Sequence, residues 1–369
     1  MVIAIDIRTF VTSQLTGVGI YAWEILNHLF RQDKQNQYKL FYNQTFGRKI
    51  KPVQDLANYP NVTLHYHHYP NKLLNFSLKY FHRPCLDELI EGCDIFWFPN
   101  LNFWQVSNQC KVILTVHDLS FNRIPWAYSA KMRLWHKLVK PREKFNQVDN
   151  IIAVSENTKN DLIDLYHLAA EKIKVVYPGV GLRPKTEDLK RINLPKKFIL
   201  YLGTLEPRKN VEGVILALEK ISQQDLYLVI AGGQGWLYQK IYKLARQSKV
   251  GSRIIFLNYV SPADRFGLYQ KAQMLVWPSF YEGFGFPPLE AMSVGCPVIT
   301  SSNSSLSEVV GEAALLVDPY NINEIAEAIN QLLSNSQLRQ NLVDKGYEQI
   351  KKYSWKESAR KMIDLFNRL

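Results

Sequence analysis

Two glutamates that lie eight positions apart could hold a ligand rich in hydroxyl groups. Glu282 and Glu290 flank a turn in the stretch SFYEGFGFPPLEAMSVG, residues 279–295. A carboxylate accepts hydrogen bonds, so it suits sugar hydroxyls, whereas it would repel phosphate oxygens. A plainer interpretation is that Glu290 complements the dipole in the first turn of a helix and that Glu282 is a solvated loop residue.

The turn between these glutamates favours close contact between the backbone and a ligand. Gly283 and Gly285 let the backbone approach a ligand and leave N–H groups free, which favours an anion at the start of a helix. Pro287 and Pro288 suit the first turn of that helix, LEAMSV, and Gly295 is expected to end it as a C-cap.

A second stretch, YLGTLEPRKN at residues 201–210, brings two cations to a predicted strand end. Arg208 and Lys209 directly precede Asn210, a good N-cap residue. Two cations beside a helix start and close to a strand end are typical of a clamp for a diphosphate. The alternative is that both are ordinary surface charges.

Two further candidates follow strands nearer the N-terminus. TGVGIYAW, residues 16–23, carries Gly17 and Gly19 where a helix opens. This pattern is weak alone, because many such pairs are plain turns. KVILTVHDL ends on His117 and Asp118. A lone histidine is more often structural, but an adjacent His-Asp pair at a strand end favours a functional role.

The elements that must position these residues alternate between strand and helix. Short β-branched or aromatic runs predict strands at residues 2–6, 38–42, 62–66, 94–98, 111–116 and 150–154. Helical patterns fall between several of them, at 19–30 and 157–166. This alternation predicts a parallel, doubly wound α/β sheet.

The pattern pauses at residues 177–197, a stretch rich in proline, glycine and charge that is typical of a linker. Strands are predicted again at 198–203, 226–232, 253–257, 274–278, 297–300 and 314–317. We therefore expect two Rossmann-like halves with a cleft between them. Because open parallel sheets bind ligands at the carboxyl ends of their strands, residues that directly follow a strand are the candidates for function.

Composition limits the class of protein. The chain has 369 residues, 47% of them hydrophobic and 21% charged, which is typical of a globular protein of two domains. Its four cysteines show no CxxC spacing, as expected of reduced intracellular thiols. No apolar stretch approaches the roughly 18–20 residues needed to span a bilayer, and the N-terminus is typical of a strand rather than a signal peptide. We expect a cytoplasmic protein.

Together these motifs resemble a retaining glycosyltransferase of the GT-B fold, in glycosyltransferase family 4 (glycosyl transferases group 1), and the chain looks mannosyltransferase-like. The resemblance covers almost all of the chain and is strongest over residues 201–319. The family's E-x7-E motif appears as EGFGFPPLE, its diphosphate segment as GTLEPRKN, and the end of its N-terminal domain as AVSENTKNDL. The resemblance implies an acceptor-binding domain at 1–180, a nucleotide-sugar-binding domain at 181–353, and a final helix, 354–369, that packs back on the first domain.

The resemblance also implies a role for each matched residue. Glu290 would accept hydrogen bonds from the nucleotide ribose, Glu282 would hold hydroxyls of the donor sugar, and His117 would bond the 6-hydroxyl of that sugar. The implied catalytic residues are Arg208, Lys209, Glu282 and His117, and the acceptor side is His117 and Asp118. The implied donor-binding residues are Gly17, Gly19, Gly203, Thr204, Val260, Gly283, Phe284, Gly285 and Glu290.

The implied reaction transfers a hexose from a nucleotide-diphosphate sugar. GDP-mannose is the first choice of donor and UDP-glucose or a related UDP-sugar the second, since no side chain that reads the base can be identified. The chain lacks a D-x-D motif, so neither a metal nor another cofactor is expected, and Arg208 and Lys209 would stabilise the diphosphate leaving group. The leaving phosphate would take the acceptor's proton, and retention is implied by the family alone.

Three rival functions fit less of the sequence. A dehydrogenase should carry GxGxxG and an acid about 20 residues on, but Gly17-Val18-Gly19 is followed by isoleucine, tyrosine and alanine. A non-catalytic nucleotide-sugar-binding protein could lose the charged diphosphate contacts, yet both cations are present. The net charge of +12 would suit a nucleic-acid binder with steep salt dependence, but no binding module accompanies the charge, so we expect no nucleic-acid partner.

Two segments, residues 123–144 and 71–83, combine aromatic and basic side chains. Such segments can lie in a membrane interface, where each base contributes about 1 kcal/mol near anionic lipid. We therefore hypothesise peripheral docking on the inner face of the plasma membrane and a lipid-linked or lipopolysaccharide-type glycan as acceptor. The alternative is a solvated face with core aromatics, and a soluble sugar or small molecule as acceptor.

Overall fold

The computed structural model describes residues 1–10, 17–45, 51–181, 189 and 192–369. These residues divide into two compact units. The first contains Met1–Leu119, Leu134–Gly179 and Ser354–Leu369, and the second contains Ser120–Arg133 and Val180–Tyr353. The junction at Gly179 falls in the stretch predicted to be a linker, of which residues 182–188, 190 and 191 lie outside the described part.

Strands form where the sequence has β-branched and aromatic runs. Within the described residues they are, in chain order, β1 (Val2–Asp6), β2 (Gln37–Asn43), β3 (Val62–His67), β4 (Ile95–Phe98), β5 (Lys111–Val116), β6 (Asn150–Ala153), β7 (Ile173–Val175), β8 (Phe198–Leu202), β9 (Tyr227–Ala231), β10 (Ile254–Asn258), β11 (Met274–Trp277), β12 (Val298–Ser301) and β13 (Leu315–Val317). Every predicted strand is present, with bounds that differ by a residue at most. β7 was not predicted, because a strand of three residues is too short to show a recognisable run of β-branched or aromatic residues.

Each unit is built on a parallel sheet. Among the described residues, the sheet of the first unit has seven strands in the order β3-β2-β1-β4-β5-β6-β7, and that of the second has six in the order β10-β9-β8-β11-β12-β13. In register, Ile5 lies beside both Leu40 and Trp97. Ile5 in one sheet and Leu200 in the other are fully buried, as parallel strands covered on both faces should be. The predicted α/β architecture is confirmed.

Helices cover the faces of the sheets. Those in the described part are, in chain order, α1 (Gly17–Gln32), α2 (Lys51–Ala57), α3 (Asn71–Tyr80), α4 (Leu86–Leu89), α5 (Ser120–Arg123), α6 (Ala130–Val139), α7 (Pro141–Gln147), α8 (Glu156–Tyr166), α9 (Val211–Leu218), α10 (Gln239–Gln247), α11 (Pro262–Lys271), α12 (Phe286–Met292), α13 (Ser304–Val310), α14 (Ile322–Ser334), α15 (Ser336–Ile350) and α16 (Trp355–Phe366). α1 buries Tyr21, Ile25 and Leu29, which share one helix face because they are four residues apart. α16 packs against α1, and Ser358 on α16 donates a hydrogen bond to the Tyr177 carbonyl oxygen at 2.5 Å.

One segment groups differently from the predicted domain division at residue 180. Residues 120–133 belong to the second unit. Their buried side chains Ile124, Ala127 and Tyr128 cluster with Tyr281, since these apolar surfaces leave water together. The sequence reveals that this segment is apolar, but not which unit its apolar side chains will pack against.

Candidate active site

The motifs of the second unit converge at one edge of its sheet. β8, β11 and β12 are neighbours and run parallel, so their carboxyl ends meet at the same edge. The segment after β8 carries Arg208 and Lys209, and the segment after β11 carries Glu282. The fold therefore brings an arginine and a glutamate into contact although they lie 74 residues apart in the chain.

Arg208 lies between two buried carboxylates. Its Nη2 is 2.8 Å from Oε1 of Glu206, and its Nη1 is 2.9 Å from Oε2 of Glu282. Nη1 also donates a hydrogen bond to the carbonyl oxygen of Tyr281 at 2.9 Å. The arginine side chain is only 12% exposed, so these charge-assisted bonds hold the guanidinium in one orientation.

Lys209 supplies the second cation of the cluster. Its Nζ is 3.4 Å from Oε1 of Glu282 and 4.8 Å from the centroid of the Trp277 ring, within cation–π range. Gly203 faces the same pair, because a Cβ there would lie 3.3 Å from Nε1 of Trp277 and 3.6 Å from Cδ of Lys209. A Cβ at position 203 would therefore be tight against the Trp277 ring and in ordinary contact with the lysine.

Asn210 fixes the segment that carries both cations. As predicted, it caps a helix: its Oδ1 accepts a hydrogen bond from the backbone N–H of Gly213 at 3.1 Å, at the start of α9. Its Nδ2 donates to the carbonyl oxygens of Pro278 and Pro319 at 3.1 and 2.7 Å. The segment after β8 is thus tied to those after β11 and β13.

Glu206 is a residue of this cluster that the sequence analysis missed. It is 3% exposed, and burial raises the pKa of its carboxyl group, while the positive charges of Arg208 and Lys209 oppose that rise. Two cations and two carboxylates therefore share one largely buried cluster. The available signal was an acid two positions before Arg208, which in the sequence alone is indistinguishable from ordinary charge alternation.

The glycine-rich turn is held by hydrogen bonds from the segment after β12. Ser305 Oγ donates to the carbonyl oxygens of Glu282 and Phe284 at 2.9 and 3.1 Å. The backbone N–H of Glu282 donates to Ser304 Oγ at 3.1 Å. These serines were not predicted to be functional, although the run SSNSS at the end of a strand, residues 301–305, was an available signal.

The helix after this turn begins and ends earlier than predicted. α12 spans Phe286–Met292 and has a proline in its first turn, as expected. Gly285 precedes it with a φ of +108°, and a Cβ there would come within 2.7 Å of Leu306, so this position requires glycine. Regular helix ends at Met292, but Gly295 terminates the last turn as predicted: its φ is +74°, its N–H donates to the Met292 carbonyl oxygen at 3.1 Å, and the Cys296 N–H donates to the Ala291 carbonyl oxygen at 3.0 Å, which is the glycine-terminated Schellman pattern.

Glu290 and Glu282 are both buried, each with 7% exposure. Glu290 lies beyond the first turn of α12, which contains no acidic residue, so the dipole interpretation is wrong. Its Oε1 is 3.2 Å from Arg265 Nη1, and its Oε2 accepts a hydrogen bond from the Tyr269 hydroxyl at 3.1 Å. The interpretation of Glu282 as a solvated loop residue is also wrong, since Arg208 and Lys209 surround its carboxylate.

The other predicted donor-binding residues of this unit lie along the same sheet edge. Thr204 is exposed directly after Gly203, and Gly283 and Phe284 are buried in the turn. Val260 is half-buried in the segment between β10 and α11. Because β10 is separated from β8 by β9, Val260 follows a strand on the opposite side of β8 from β11.

His117 follows β5 in the first unit. Its Nε2 donates a hydrogen bond to the Pro99 carbonyl oxygen at 2.8 Å, and its ring packs edge-on against Tyr21 with centroids 4.9 Å apart. Burial lowers the pKa of His117. The imidazole is therefore neutral near neutral pH, and with Nε2 carrying the proton, Nδ1 is a hydrogen-bond acceptor.

The remaining first-unit candidates lie close to strand ends at the same sheet edge. Asp118 is half-buried next to His117. Gly17 and Gly19 fall in the first turn of α1, the former exposed and the latter buried. The loop before them, residues 11–16, lies outside the described part.

In the described part of the chain, no three histidine, cysteine, aspartate or glutamate side chains are grouped so that they could hold a metal ion. None of the helices in the same residue ranges is long and apolar enough to cross a membrane. The four cysteines carry free thiols.

Two family models match the chain in succession. Glycosyltransferase Family 4 matches residues 15–183, and glycosyl transferases group 1 matches residues 183–349. O-antigen chain mannosyltransferase B from Escherichia coli is 28% identical over 96% of this chain and 97% of its own length. D-inositol 3-phosphate glycosyltransferase from Corynebacterium glutamicum is 30% identical over 60% of this chain and 58% of its own length.

Solved structures share the fold. Sucrose-phosphate synthase from Thermosynechococcus elongatus has a TM-score of 0.76 at 20% identity, over 100% of this chain and 98% of its own. Anabaena HepE in complex with UDP and glucose has a TM-score of 0.74 at 15% identity, over all of both chains. WaaG, a glycosyltransferase involved in lipopolysaccharide biosynthesis, has a TM-score of 0.73 at 15% identity, over 98% of this chain and 99% of its own. The GT-B architecture expected from the sequence is confirmed.

Proposed function

The chain belongs to the GT-B glycosyltransferases that join a family 4 domain to a group 1 domain, and we propose that it moves mannose from GDP-mannose onto a growing glycan with retention of configuration. The observation that carries this proposal is the buried cluster of Arg208, Lys209 and Glu282. The similarity to an O-antigen chain mannosyltransferase along nearly its whole length supports the choice of sugar. A UDP-sugar is the second candidate donor, because HepE has been solved with UDP and with UDP-glucose.

The chemistry of the cluster suits departure of a nucleoside diphosphate. Negative charge develops on the leaving phosphate in the transition state, and preorganised cations stabilise it most. Arg208 is already oriented by Glu206 and Glu282, so little reorganisation is needed when a diphosphate binds. Glu282 lies beside both cations, and its carboxylate can accept hydrogen bonds from sugar hydroxyls attached to that diphosphate.

The other candidates take roles in binding. We assign Glu290, held by Arg265 and Tyr269, to the ribose hydroxyls of the donor, and the backbone near Val260 to the base. In the first unit, the neutral imidazole of His117 can accept a hydrogen bond from a sugar hydroxyl. The acceptor's proton goes to the leaving phosphate, so the reaction requires no separate protein base.

Purified protein incubated with GDP-mannose and a mannose-terminated oligosaccharide tests this function. We expect release of GDP and an oligosaccharide longer by one mannose, joined through an α-linkage that matches the donor's. If product forms only from UDP-glucose, the sugar that the protein transfers is glucose and not mannose. A β-linked product would contradict retention. No sugar transfer from either donor to mannosides or to lipid-linked acceptors would contradict the proposed activity.

We further propose that the acceptor is lipid-linked and that α3 brings the protein to the membrane. Among the apolar residues of this region, Leu73, Phe76, Tyr80 and Phe81 are 65%, 52%, 55% and 68% exposed. Leu74 and Leu78 of the same helix are buried, so α3 has apolar surface on both sides. A contiguous exposed patch of this kind marks an interaction surface. Exposed bases border it, including Lys72 and Arg83, which suits anionic lipid.

The second predicted segment, residues 123–144, supports the membrane proposal less well. Its Ile124, Ala127 and Tyr128 are buried in the second unit. Residues 71–83 are therefore the surface proposed to dock on the membrane.

Sedimentation with phosphatidylglycerol vesicles tests the docking. We expect binding at low salt that weakens at physiological salt. Replacing Phe76 and Phe81 by serine should reduce it by about a hundredfold or more, because each ring loses roughly 1.5–3 kcal/mol of burial and about 1.4 kcal/mol is a factor of ten in binding. Tyr347→Ser, at a 42% exposed residue of α15, is the matched control and should bind like the wild type. Absence of binding to anionic vesicles at either salt would eliminate the docking and favour a soluble acceptor.

A further inference from the structure

We infer that Trp126, Phe280 and Tyr320 form a stacking surface for the sugar rings of the acceptor, an inference that rests on the proposed glycan-transferring function. We call these three side chains the aromatic platform. The ring centroids of Trp126 and Phe280 are 5.1 Å apart, and those of Phe280 and Tyr320 are 4.7 Å apart. Phe280 therefore lies between the other two rings and joins them into one surface.

The two outer rings of the platform are exposed, and Phe280 between them is half-buried. Trp126 and Tyr320 are 53% and 62% exposed. Beside Trp126, Ala127 and Tyr128 are buried, and Trp236 Nε1 donates a hydrogen bond to the Ala127 carbonyl oxygen at 2.6 Å. The backbone that carries Trp126 is therefore anchored on the second unit, while its indole faces solvent. Contiguous exposed apolar surface, unlike single scattered side chains, marks an interaction site or a ligand-binding groove.

Hydrogen bonds to main-chain atoms at the platform tie it to the segment that carries both cations. The N–H of Phe280 donates to the Arg208 carbonyl oxygen at 2.8 Å, and Asn303 Nδ2 donates to the Phe280 carbonyl oxygen at 2.9 Å. Tyr320 directly follows Pro319, whose carbonyl oxygen accepts a hydrogen bond from Asn210 at 2.7 Å. The rings therefore sit beside the proposed leaving-group site rather than at a remote surface.

Strand order indicates which substrate the platform meets. Phe280 follows β11 and Tyr320 follows β13, on one side of β8, whereas Val260 follows β10 on the other side. The donor's base is assigned to the β10 side of the sheet. The platform therefore lies on the other side of the cation cluster, away from the base. The ligand expected there is the acceptor.

The rings suit a pyranose rather than an ion or a flat base. The face of an aromatic ring is partly negative and attracts C–H dipoles, which a pyranose presents on its apolar faces. Trp126 and Phe280 are inclined at 74° and Phe280 and Tyr320 at 37°. Such a bent surface can follow successive sugar units of a chain better than it can stack a planar ring.

Ligand-observed NMR with mannotriose, maltotriose and cellotriose, with and without saturating GDP, tests this inference. We expect the wild type to bind at least one trisaccharide, and Trp126→Ala and Tyr320→Ala each to weaken that binding by roughly three- to tenfold, the usual size of an aromatic contact. Tyr320→Phe, which keeps the ring, should restore binding. Tyr347→Ala, at an exposed residue of the same unit, should change nothing.

The Kd for GDP, measured on the same samples, separates failure of this inference from failure of the proposed function. It should be unchanged in the platform variants. If the wild type binds none of the trisaccharides, or if Trp126→Ala and Tyr320→Ala bind them like the wild type, the platform is not a sugar surface, even where nucleotide binding is intact. Loss of thermal stability without loss of sugar binding would also overturn it. Failure of the wild type to bind GDP or UDP would instead count against the proposed donor site.

Discussion

Removal of the Lys209 ammonium should slow sugar transfer with little damage to the fold. Lys209 contacts Glu282 at 3.4 Å and the face of Trp277, whereas Arg208 bonds two carboxylates and a backbone carbonyl oxygen. Lys209→Ala leaves Glu282 paired with Arg208. Arg208→Ala would leave Glu206 and Glu282 without their shared partner, and an uncompensated buried charge destabilises a fold by about 3–5 kcal/mol. Lys209→Ala therefore tests the role of a cation in turnover with less damage to the fold than Arg208→Ala.

The expected size of the effect follows from the position of the ammonium. Two unit charges about 4 Å apart interact by about 4 kcal/mol at an effective dielectric of about 20. The Lys209 side chain is 14% exposed, so solvent weakens this interaction only in part. A loss of about 2.7–4 kcal/mol in the transition state lowers kcat by about 10²–10³. We expect Lys209→Ala to lower turnover by about 10² or more.

Release of nucleoside diphosphate from the donor, followed at saturating donor concentration, measures this change. Lys271→Ala, at an exposed lysine in the last turn of α11, is the matched control and should turn over like the wild type. Circular dichroism and thermal unfolding should give similar curves for all three proteins. A folded Lys209→Ala protein with turnover near that of the wild type would refute the role of this ammonium in leaving-group departure.

Two other changes have distinct expected outcomes. Glu290→Ala should weaken donor binding more than it lowers kcat, because ribose contacts are made in the ground state as well as in the transition state, whereas Glu282→Ala should affect both; calorimetry and turnover that fail to separate the two variants would contradict these roles. Arg208→Ala should lose more stability at about pH 8 than at about pH 5. Burial already raises the pKa of Glu206, and loss of the arginine raises that pKa further. Because a carboxyl group with a raised pKa in the folded state binds its proton more tightly there than in the unfolded state, the stability falls as the pH rises through the folded-state pKa. Thermal unfolding of this variant and the wild type at both values measures the difference, which Glu206→Gln in the same chain should reduce. An equal deficit at both pH values would contradict this expectation.

The sequence predicts the strands and the motifs at their ends because both are local features. A run such as FILYL needs no distant partner to be recognised as a buried strand, and its length and flanking residues predict its bounds. Parallel pairing then places the residues after β8 and β11 at one edge, which is why Arg208 and Glu282 could be proposed for the same site from the sequence.

Interactions between distant segments could not be predicted in this way. Glu206 becomes part of the cluster only because folding buries it against Arg208, and Ser304 and Ser305 matter because β12 ends beside the turn that they bond. Residues 120–133 pack on Tyr281 of the second unit although they are flanked in the chain by residues of the first. For the serines and for residues 120–133 the partner is remote in sequence, whereas for Glu206 it is the burial, rather than the partner, that depends on distant segments. One chain alone carries no local pattern that identifies either.

Calorimetric titration of GDP and UDP into the wild-type protein tests most directly whether protein cations, rather than a metal, hold the diphosphate. The titrations should be run in excess EDTA and repeated with magnesium. We predict that at least one nucleotide, with GDP expected, binds with the same Kd in both conditions, and that Lys209→Ala weakens this binding. Binding that appears only when magnesium is present would contradict the account.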